Sequence, residues 1–514
     1  MTRRDRGSGG PDLTGVRALV VDRLDDLVLT GRGSAGSRPP DHSRGGEDAG
    51  ARGRPRRILV LHADLGHGHR AAAEALAADL ERAGVPVDVS LEDGLAALGR
   101  PLSVAIRDGS LLQFRRLPAA FGPIYGSLMG VRAVRSTAQA ALSLLGGGRL
   151  LRLLEASNPD VVVSTYPGIN SVLGELRQTG RLGVPVCTTV LDFASLPFWT
   201  HPGIDLHLVM HEESLEAVTR LAAEAAVRHV RPLVQRSFYE RCSRRPAREM
   251  LGLPDDDQVV LVTGGGWGLG DPGGAVRAAL RLPRTRVVCV AGDNERARGR
   301  LELEFGREPR VRILGFTEKM RLLMAAADVI VHSGGGVTCL EALVCGRPVL
   351  VYGAPPGHWR ANATRMEKAG LTRVVRTEAD LATALRVTLD APRVVSRKLP
   401  TVSSADLVLA LAATAAHPVR EVNARAQRTP RNPRDKRTEA PARALRLAPP
   451  PSVNASLAPF RQLAARLCEI RLSARRQLQP GVHPPPLAVG DPGFASQGRG
   501  DRGNDSEPEA VADP

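Results

Sequence analysis

The stretch DVIVHSGGGVTCLEALVCGRPVLVYG, Asp328 to Gly353, decides the fold. An apolar run stops at three consecutive glycines, a helical segment follows at once, and a second apolar run, RPVLVYG, closes the unit. Both runs are Val/Ile/Leu-rich and nearly continuous, as strands covered on both faces are, so the unit reads as β-α-β with a parallel sheet. Glycines at such a turn permit a tight bend and close main-chain approach, and the helix N-terminus beyond them can receive an anion such as a diphosphate. Glu341 lies within that helix, where its carboxylate could accept hydrogen bonds from a ribose diol. The plainer readings stand beside these: a structural glycine turn and an ordinary helix residue.

The same alternation extends in both directions. Upstream lie RILVLHA, VDVSLED, DVVVSTYP, PVCTTVLD and DLHLVMH; then, after LGLPDDD, come QVVLVTGG, RVVCVAGD and RVRILGF. Two doubly wound parallel sheets follow, with the joint between Arg231 and Arg245. Open parallel sheets bind ligands beyond the carboxyl ends of their strands, and two that face each other enclose a cleft. The loops just after strands are therefore where chemistry is expected.

Three further loops meet that condition. VTGGGWGLGD, Val262 to Asp271, holds Gly264, Gly265 and Gly266 but lacks the dinucleotide fingerprint, because RVVCVAGD brings Asp293 behind a glycine. It reads instead as a loop approaching a diphosphate from the opposite side. GAPPGHWRANATRMEKAG puts His358, Trp359 and Asn362 at the start of a helix, where they either contact a polar ligand or merely cap and pack. ILVLHADLGHGHRAAAEAL, Ile58 to Leu76, ends a strand in a loop with His67 and His69. His62, His67, His69 and Asp64 match no familiar metal spacing. His69 is either a packing histidine or a base: an imidazole near its ordinary pKa of about 6.5 can take a proton from a hydroxyl at neutral pH.

Composition bounds the rest. The 514 residues suit two to three domains, with a 43% hydrophobic share that fills packed cores. A formal charge of +16 predicts attraction to anionic surfaces. Aromatics, at 3%, are too few to interleave with basic residues as single-strand binding needs, so nucleic acid is not an expected partner. The six cysteines form no CxxC pair, which argues against a disulfide framework or zinc ribbon and fits a reducing cytosol. No apolar run reaches the length of a membrane-spanning helix. Residues 1–54 read as a disordered arm and 418–514 as a mostly disordered basic, Pro-rich tail. Within that tail, 457–478 carries apolar residues at helical spacing between arginines, consistent with a packed helix or a basic amphipathic one on lipid. Two domains remain, 55–240 and 241–417.

Taken together, LGHGHRAAAEAL, VLDFASLPFWTHPGID, RPLVQRSF, the stretch from Val311 to Leu350 and PPGHWRANA resemble the monogalactosyldiacylglycerol synthase family. More distantly they resemble the N-acetylglucosaminyltransferase that makes the lipid intermediate of peptidoglycan. The resemblance spans about Arg57 to Ala391. It implies the two-Rossmann GT-B fold and inverting transfer of a hexose from a UDP-sugar to a lipid hydroxyl, diacylglycerol first, with no metal and no cofactor. By position, it makes His69 the base or an acceptor-site residue and Asp192 the aspartate of a TDF-like motif. Trp199 and His201 follow as in relatives. Phe316 and Met320 would line the uracil pocket, with Ser333, Gly334, Gly335, Gly336 and Thr338 at the diphosphate and Glu341 at the ribose. The segment FGPIYGSLMG, with Pro123 and Tyr125, falls in the family's membrane-facing part, which implies a cytoplasmic protein attached to the inner face of an anionic membrane.

The chain departs from the family twice. Leu191-Asp192-Phe193 stands for TDF, with Leu196 where a histidine is often found; His358 and Trp359 replace the glutamine and acidic residue of PGQE that lie against the sugar. The UDP half of the donor site is thus kept while the sugar half is altered. Alternatives within the same fold are a small-molecule or polyprenyl acceptor, a UDP-sugar epimerase and a non-catalytic UDP-sugar binder.

Overall fold

A computed structural model describes residues 54–116, 118–240, 242–391 and 399–414, with only the backbone for 111–120. The expected arm, but for its last residue, and the tail with its 457–478 helix lie outside the described residues. Arg54 itself is tied in: its guanidinium donates two hydrogen bonds to Asp160, at 3.0 and 2.5 Å.

The first lobe runs β1 (Arg56–His62), α1 (Gly68–Glu81), β2 (Val87–Asp93), α2 (Gly94–Ala97), α3 (Arg100–Arg116), α4 (Pro118–Gly130), α5 (Arg132–Ser157), β3 (Val161–Ser164), α6 (Pro167–Gln178), β4 (Val186–Val190), α7 (Leu196–Trp199), β5 (Leu206–Val209), α8 (Glu212–Ala222) and β6 (Ala226–His229). A 3₁₀ turn, Arg236–Tyr239, lies in the linker. The second lobe follows with α9 (Arg244–Leu251), β7 (Gln258–Thr263), α10 (Pro272–Leu280), β8 (Thr285–Val290), α11 (Glu295–Phe305), β9 (Val311–Leu314), α12 (Met320–Ala326), β10 (Val329–His332), α13 (Val337–Val344), β11 (Val349–Tyr352), α14 (His358–Lys368), β12 (Arg373–Val375), α15 (Glu378–Asp390) and α16 (Ser404–Thr414).

Each lobe holds one six-stranded parallel sheet, ordered β2-β1-β3-β4-β5-β6 and β12-β11-β10-β7-β8-β9. Alternate residues of β1 serve opposite faces: Ile58 and Val60 share a buried cluster with Ala72, Leu76 and Leu80 of α1, while Leu59 and Leu61 share another with Ile169 and Leu173 of α6. That is why the run reads as continuously apolar. Three carboxylates lie at or just before the amino ends of strands and are fully engaged there. Asp160 accepts from Arg54 and the Arg57 amide, Asp205 from Arg177 and the Val186 amide, and Asp328 from Arg248 and the Val259 amide. They stitch the ends away from the cleft and leave the carboxyl ends for ligand.

Two strands go beyond the expected ten, β6 and β12, and both are edges. A more consequential correction concerns α16, which the sequence places with the second domain: it lies against α1 and β3 of the first. Arg231, in the linker, fixes this return. Its amide donates to the Val402 carbonyl at 2.9 Å, and its guanidinium bonds Asp79 of α1 at 3.0 Å.

Candidate active site at the interlobe cavity

In each sheet the strand order reverses at one point, β1/β3 in the first and β7/β10 in the second. The crevices there face each other across a cavity of about 730 Å3, where open α/β sheets place ligands.

A histidine bridges each switch point. His69 opens α1, and its Nδ1 lies 2.6 Å from the Thr165 carbonyl just beyond β3, while the Thr165 hydroxyl donates back to the His69 carbonyl at 2.8 Å. Nδ1 therefore carries the proton, and Nε2, with no hydrogen-bond partner among the described residues, is the lone-pair nitrogen at the cavity wall. Burial holds the imidazole below its ordinary pKa, opposed by the nearby Asp192 carboxylate, so the ring is neutral at pH 7. Tyr166 stands edge-on at 5.1 Å and the buried Trp199 lies at 5.9 Å, which fixes the ring plane. In the second lobe His332 ends β10 and bonds the Thr263 carbonyl of β7 at 2.9 Å; burial pushes it down to about 4.

The glycine loop after β10 turns its backbone toward the cavity. The amides of Gly335, Gly336, Val337 and Thr338 have no backbone acceptor among the described residues, and α13 begins at Val337 without a side-chain cap. Ser333, Gly335, Gly336, Thr338 and Glu341 line the cavity. A Cβ on Gly335 would stand 2.6 Å from the Met366 sulfur and 2.7 Å from the Asn362 amide nitrogen, so the loop can hug α14 only as glycine. Glu341 has no hydrogen-bond partner among the described residues, and burial raises its carboxyl to about 8. Opposite runs the loop of Gly264, Gly265 and Gly266, which also lines the cavity; a Cβ on Gly266 would strike the His67 ring at 2.3 Å.

Other expected residues fall in three groups. Phe316 and Met320 are at the cavity wall, Phe316 with its ring 5.0 Å from that of His67. Asp192, His358 and Trp359 line it too, from both lobes. Gly334 and Asn362 stand elsewhere. Gly334 packs beneath Trp359, and Asn362, only 1% exposed, faces the other lobe, its Oδ1 accepting from the Phe193 and Ala194 amides at 2.8 and 3.2 Å. His201 also lies outside the cavity: its Nδ1 accepts from the Gly203 amide, and burial pushes it down to about 4. Among the described residues no three His, Cys, Asp or Glu side chains converge as metal ligands.

Several contacts went unread in the sequence because they join residues far apart along the chain, two of them across the lobes. His67 reaches Asp293 at 2.5 Å, and Ser195 reaches both Tyr125 of α4, at 3.1 Å, and His358, at 3.2 Å. The available signal was position: Thr165, Ser195, Asp293 and His332 all lie at or just past a strand's carboxyl end.

Facing Rossmann lobes, a return helix onto the first lobe and a bare helix N-terminus at the cleft define a glycosyltransferase of the GT-B type. More particularly, residues 69–222 match the monogalactosyldiacylglycerol (MGDG) synthase family and residues 259–405 the glycosyltransferase family 28 C-terminal domain. The protein is a glycosyltransferase, and each of its two lobes matches one of these models. A processive diacylglycerol beta-glucosyltransferase of Bacillus licheniformis is 26% identical over 329 residues, 63% of this chain and 84% of that one. The chloroplastic monogalactosyldiacylglycerol synthase of Spinacia oleracea is 27% identical over 352 residues, 64% of this chain and 65% of that one. Among solved structures, the spinosyn rhamnosyltransferase SpnG superposes with a TM-score of 0.45 at 18% identity, covering 73% of this chain and 100% of that one. Acinetobacter baumannii MurG gives 0.42 at 16%, with the same coverage.

Proposed function

We propose that the protein moves a hexose, with inversion, from a UDP-sugar to the hydroxyl of diacylglycerol or a closely related lipid, on the cytoplasmic face of an anionic membrane. One observation carries the reading. Across a single cavity, a neutral imidazole nitrogen faces a helix N-terminus and a carboxyl group, all three without a hydrogen-bond partner among the described residues.

The chemistry follows. The unpaired amides around Gly335 to Thr338, backed by the α13 dipole, hold the diphosphate and stabilise the negative charge that grows on UDP as the anomeric C–O bond breaks. Main-chain groups do this without a metal. Glu341 accepts from the ribose diol, and the base lies at Phe316 and Met320. From the first lobe, Nε2 of His69 takes the proton of the lipid hydroxyl while its oxygen attacks the anomeric carbon on the face opposite UDP. The imidazolium that forms is stabilised by Asp192. The relatives' printed activities support a diacylglycerol acceptor. Exposed Ile124 on α4, Val131 between α4 and α5, and Val134 on α5, near the Phe121 side of the cavity, suit contact with lipid. No helix among the described residues is long and apolar enough to cross a membrane.

Incubation with UDP-glucose, UDP-galactose and UDP-N-acetylglucosamine, each radiolabelled, plus diacylglycerol in mixed micelles tests this directly. Labelled glycolipid is expected from one or more donors, and His69→Ala should lower its rate by about 10²- to 10⁴-fold with UDP binding retained. A protein that binds UDP yet labels no lipid or polyprenyl acceptor would overturn the reading.

A further inference from the structure

His358 and Asn362 are four residues apart, on one face of the first turns of α14. Both reach across the cleft to the same carboxylate. Nε2 of His358 lies 3.6 Å from Oδ2 of Asp192, and the Asn362 amide donates to Oδ1 at 3.4 Å while its own oxygen holds the Phe193 and Ala194 amides. Arg365, farther along the helix, donates to the Phe193 carbonyl at 2.7 Å. On its other side the His358 ring meets Ser195, whose hydroxyl continues the chain to Tyr125 of α4. One helix of the donor lobe thus grips the whole Asp192–Ser195 loop of the acceptor lobe. Both His358 ring nitrogens face first-lobe partners, so this side chain is not free to serve as a sugar ligand.

Resting on the glycosyltransferase reading of this site, we propose that His358, with Asn362, is a positioning residue that holds Asp192 in place only when the lobes are closed, so that His69 becomes an effective base only in the closed state. Asp192 favours the protonated form of His69 and His358 opposes it. With both Asp192 oxygens engaged by α14, the carboxylate cannot swing onto His69 and trap it as an ion pair before substrate arrives. In the open state the clamp parts, Asp192 is released, and premature proton uptake by His69 is favoured. The titratable or charged groups facing His358 are Asp192 and His69 from the first lobe's strand loops and Tyr125 from α4, with Arg365 on its own helix.

The test compares wild type, His358→Gln and His358→Ala in full-length protein, with kcat and KM measured from pH 5.5 to 9 and UDP affinity by calorimetry. His358→Ala should lower kcat at pH 7 about 10- to 100-fold, as misplacement of a reacting group does, and leave the UDP Kd within about threefold. Its acid limb should move to higher pH, because loss of the opposing imidazole and release of Asp192 both raise the His69 pKa. His358→Gln, which can still donate to Asp192, should recover most of the plateau rate. An acid limb at the wild-type position in His358→Ala, or a loss confined to UDP affinity, overturns the inference. Should wild type transfer no sugar, the functional reading fails instead; the clamp is then decided by NMR titration of His69, whose pKa must still rise in His358→Ala.

Discussion

Glu341 carries a cost in the empty protein that a ligand would remove. Its carboxyl sits at a cavity wall with no hydrogen-bond partner among the described residues, and burial raises it to about 8. An unfolded glutamate titrates near 4.3, so across the window from about pH 4.5 to 8 the folded chain binds a proton that the unfolded chain releases. Stability contributed by this residue is therefore lost as pH rises through that window. Glu341→Gln should melt at or above the wild-type temperature at pH 8.5, with the advantage shrinking toward pH 5, by scanning calorimetry. Ribose hydroxyls donate best to the ionised carboxylate, so wild-type UDP affinity should strengthen from pH 7 to 9. The glutamine variant should bind about tenfold more weakly and lack that slope. A uniformly lower melting temperature would mark Glu341 as a packing residue instead.

At the scale of elements, the glycine loop works because α14 lies directly behind it. Gly335→Ala forces a methyl group against Met366 and Asn362, and overpacking of this kind costs about 1–3 kcal/mol. The melting temperature should fall, and UDP affinity with it, because the same shift moves the Gly336 to Thr338 amides; unchanged UDP affinity in a folded variant would separate loop from donor site. How well each element could be read from sequence depended on burial. The strands were legible where both faces are covered, as in VVVS of β3 or VIVH of β10. AVRH of β6 and RVV of β12 were not, since edge strands need cover on fewer sides and tolerate arginine. The place of the glycine loops and His69 at the cavity was legible because strand-to-helix turns border the crevice in this architecture. Asn362 looked like a ligand residue only because nothing local says that another lobe will claim its amide. The same holds for His67 with Asp293 and for α16, whose apolar face does not name the lobe it covers.

For the whole molecule, the proposed function asks how a protein with no membrane-crossing helix among its described residues would reach a lipid hydroxyl. Ile124 on α4 and Val131 and Val134 on the junction with α5 are 49%, 48% and 43% exposed, and Arg132 stands among them. Phe121, one turn before Ile124, lines the cavity and packs on Trp359 at 5.4 Å, so α4 carries both part of the cavity wall and one end of the apolar patch. Three half-exposed aliphatic side chains supply only a modest hydrophobic drive, and much of what each could gain by burial is already gained. On the proposed membrane docking, the +16 charge of the chain would supply the rest, at about 1 kcal/mol per arginine held near an anionic surface, a force screened within about 10 Å at 0.1 M salt and 3 Å at 1 M. Binding should therefore need both contributions. In vesicle sedimentation the full-length protein should pellet with phosphatidylglycerol vesicles at 50 mM salt, release at 500 mM, and ignore phosphatidylcholine vesicles. An Ile124→Ser, Val131→Ser, Val134→Ser triple variant should still be drawn to the anionic surface but with several-fold weaker affinity, and should lose activity on vesicle-borne diacylglycerol more than on a soluble short-chain analogue. Equal loss on both acceptors would move the patch from the membrane to the fold, and salt-independent binding would remove charge from the account.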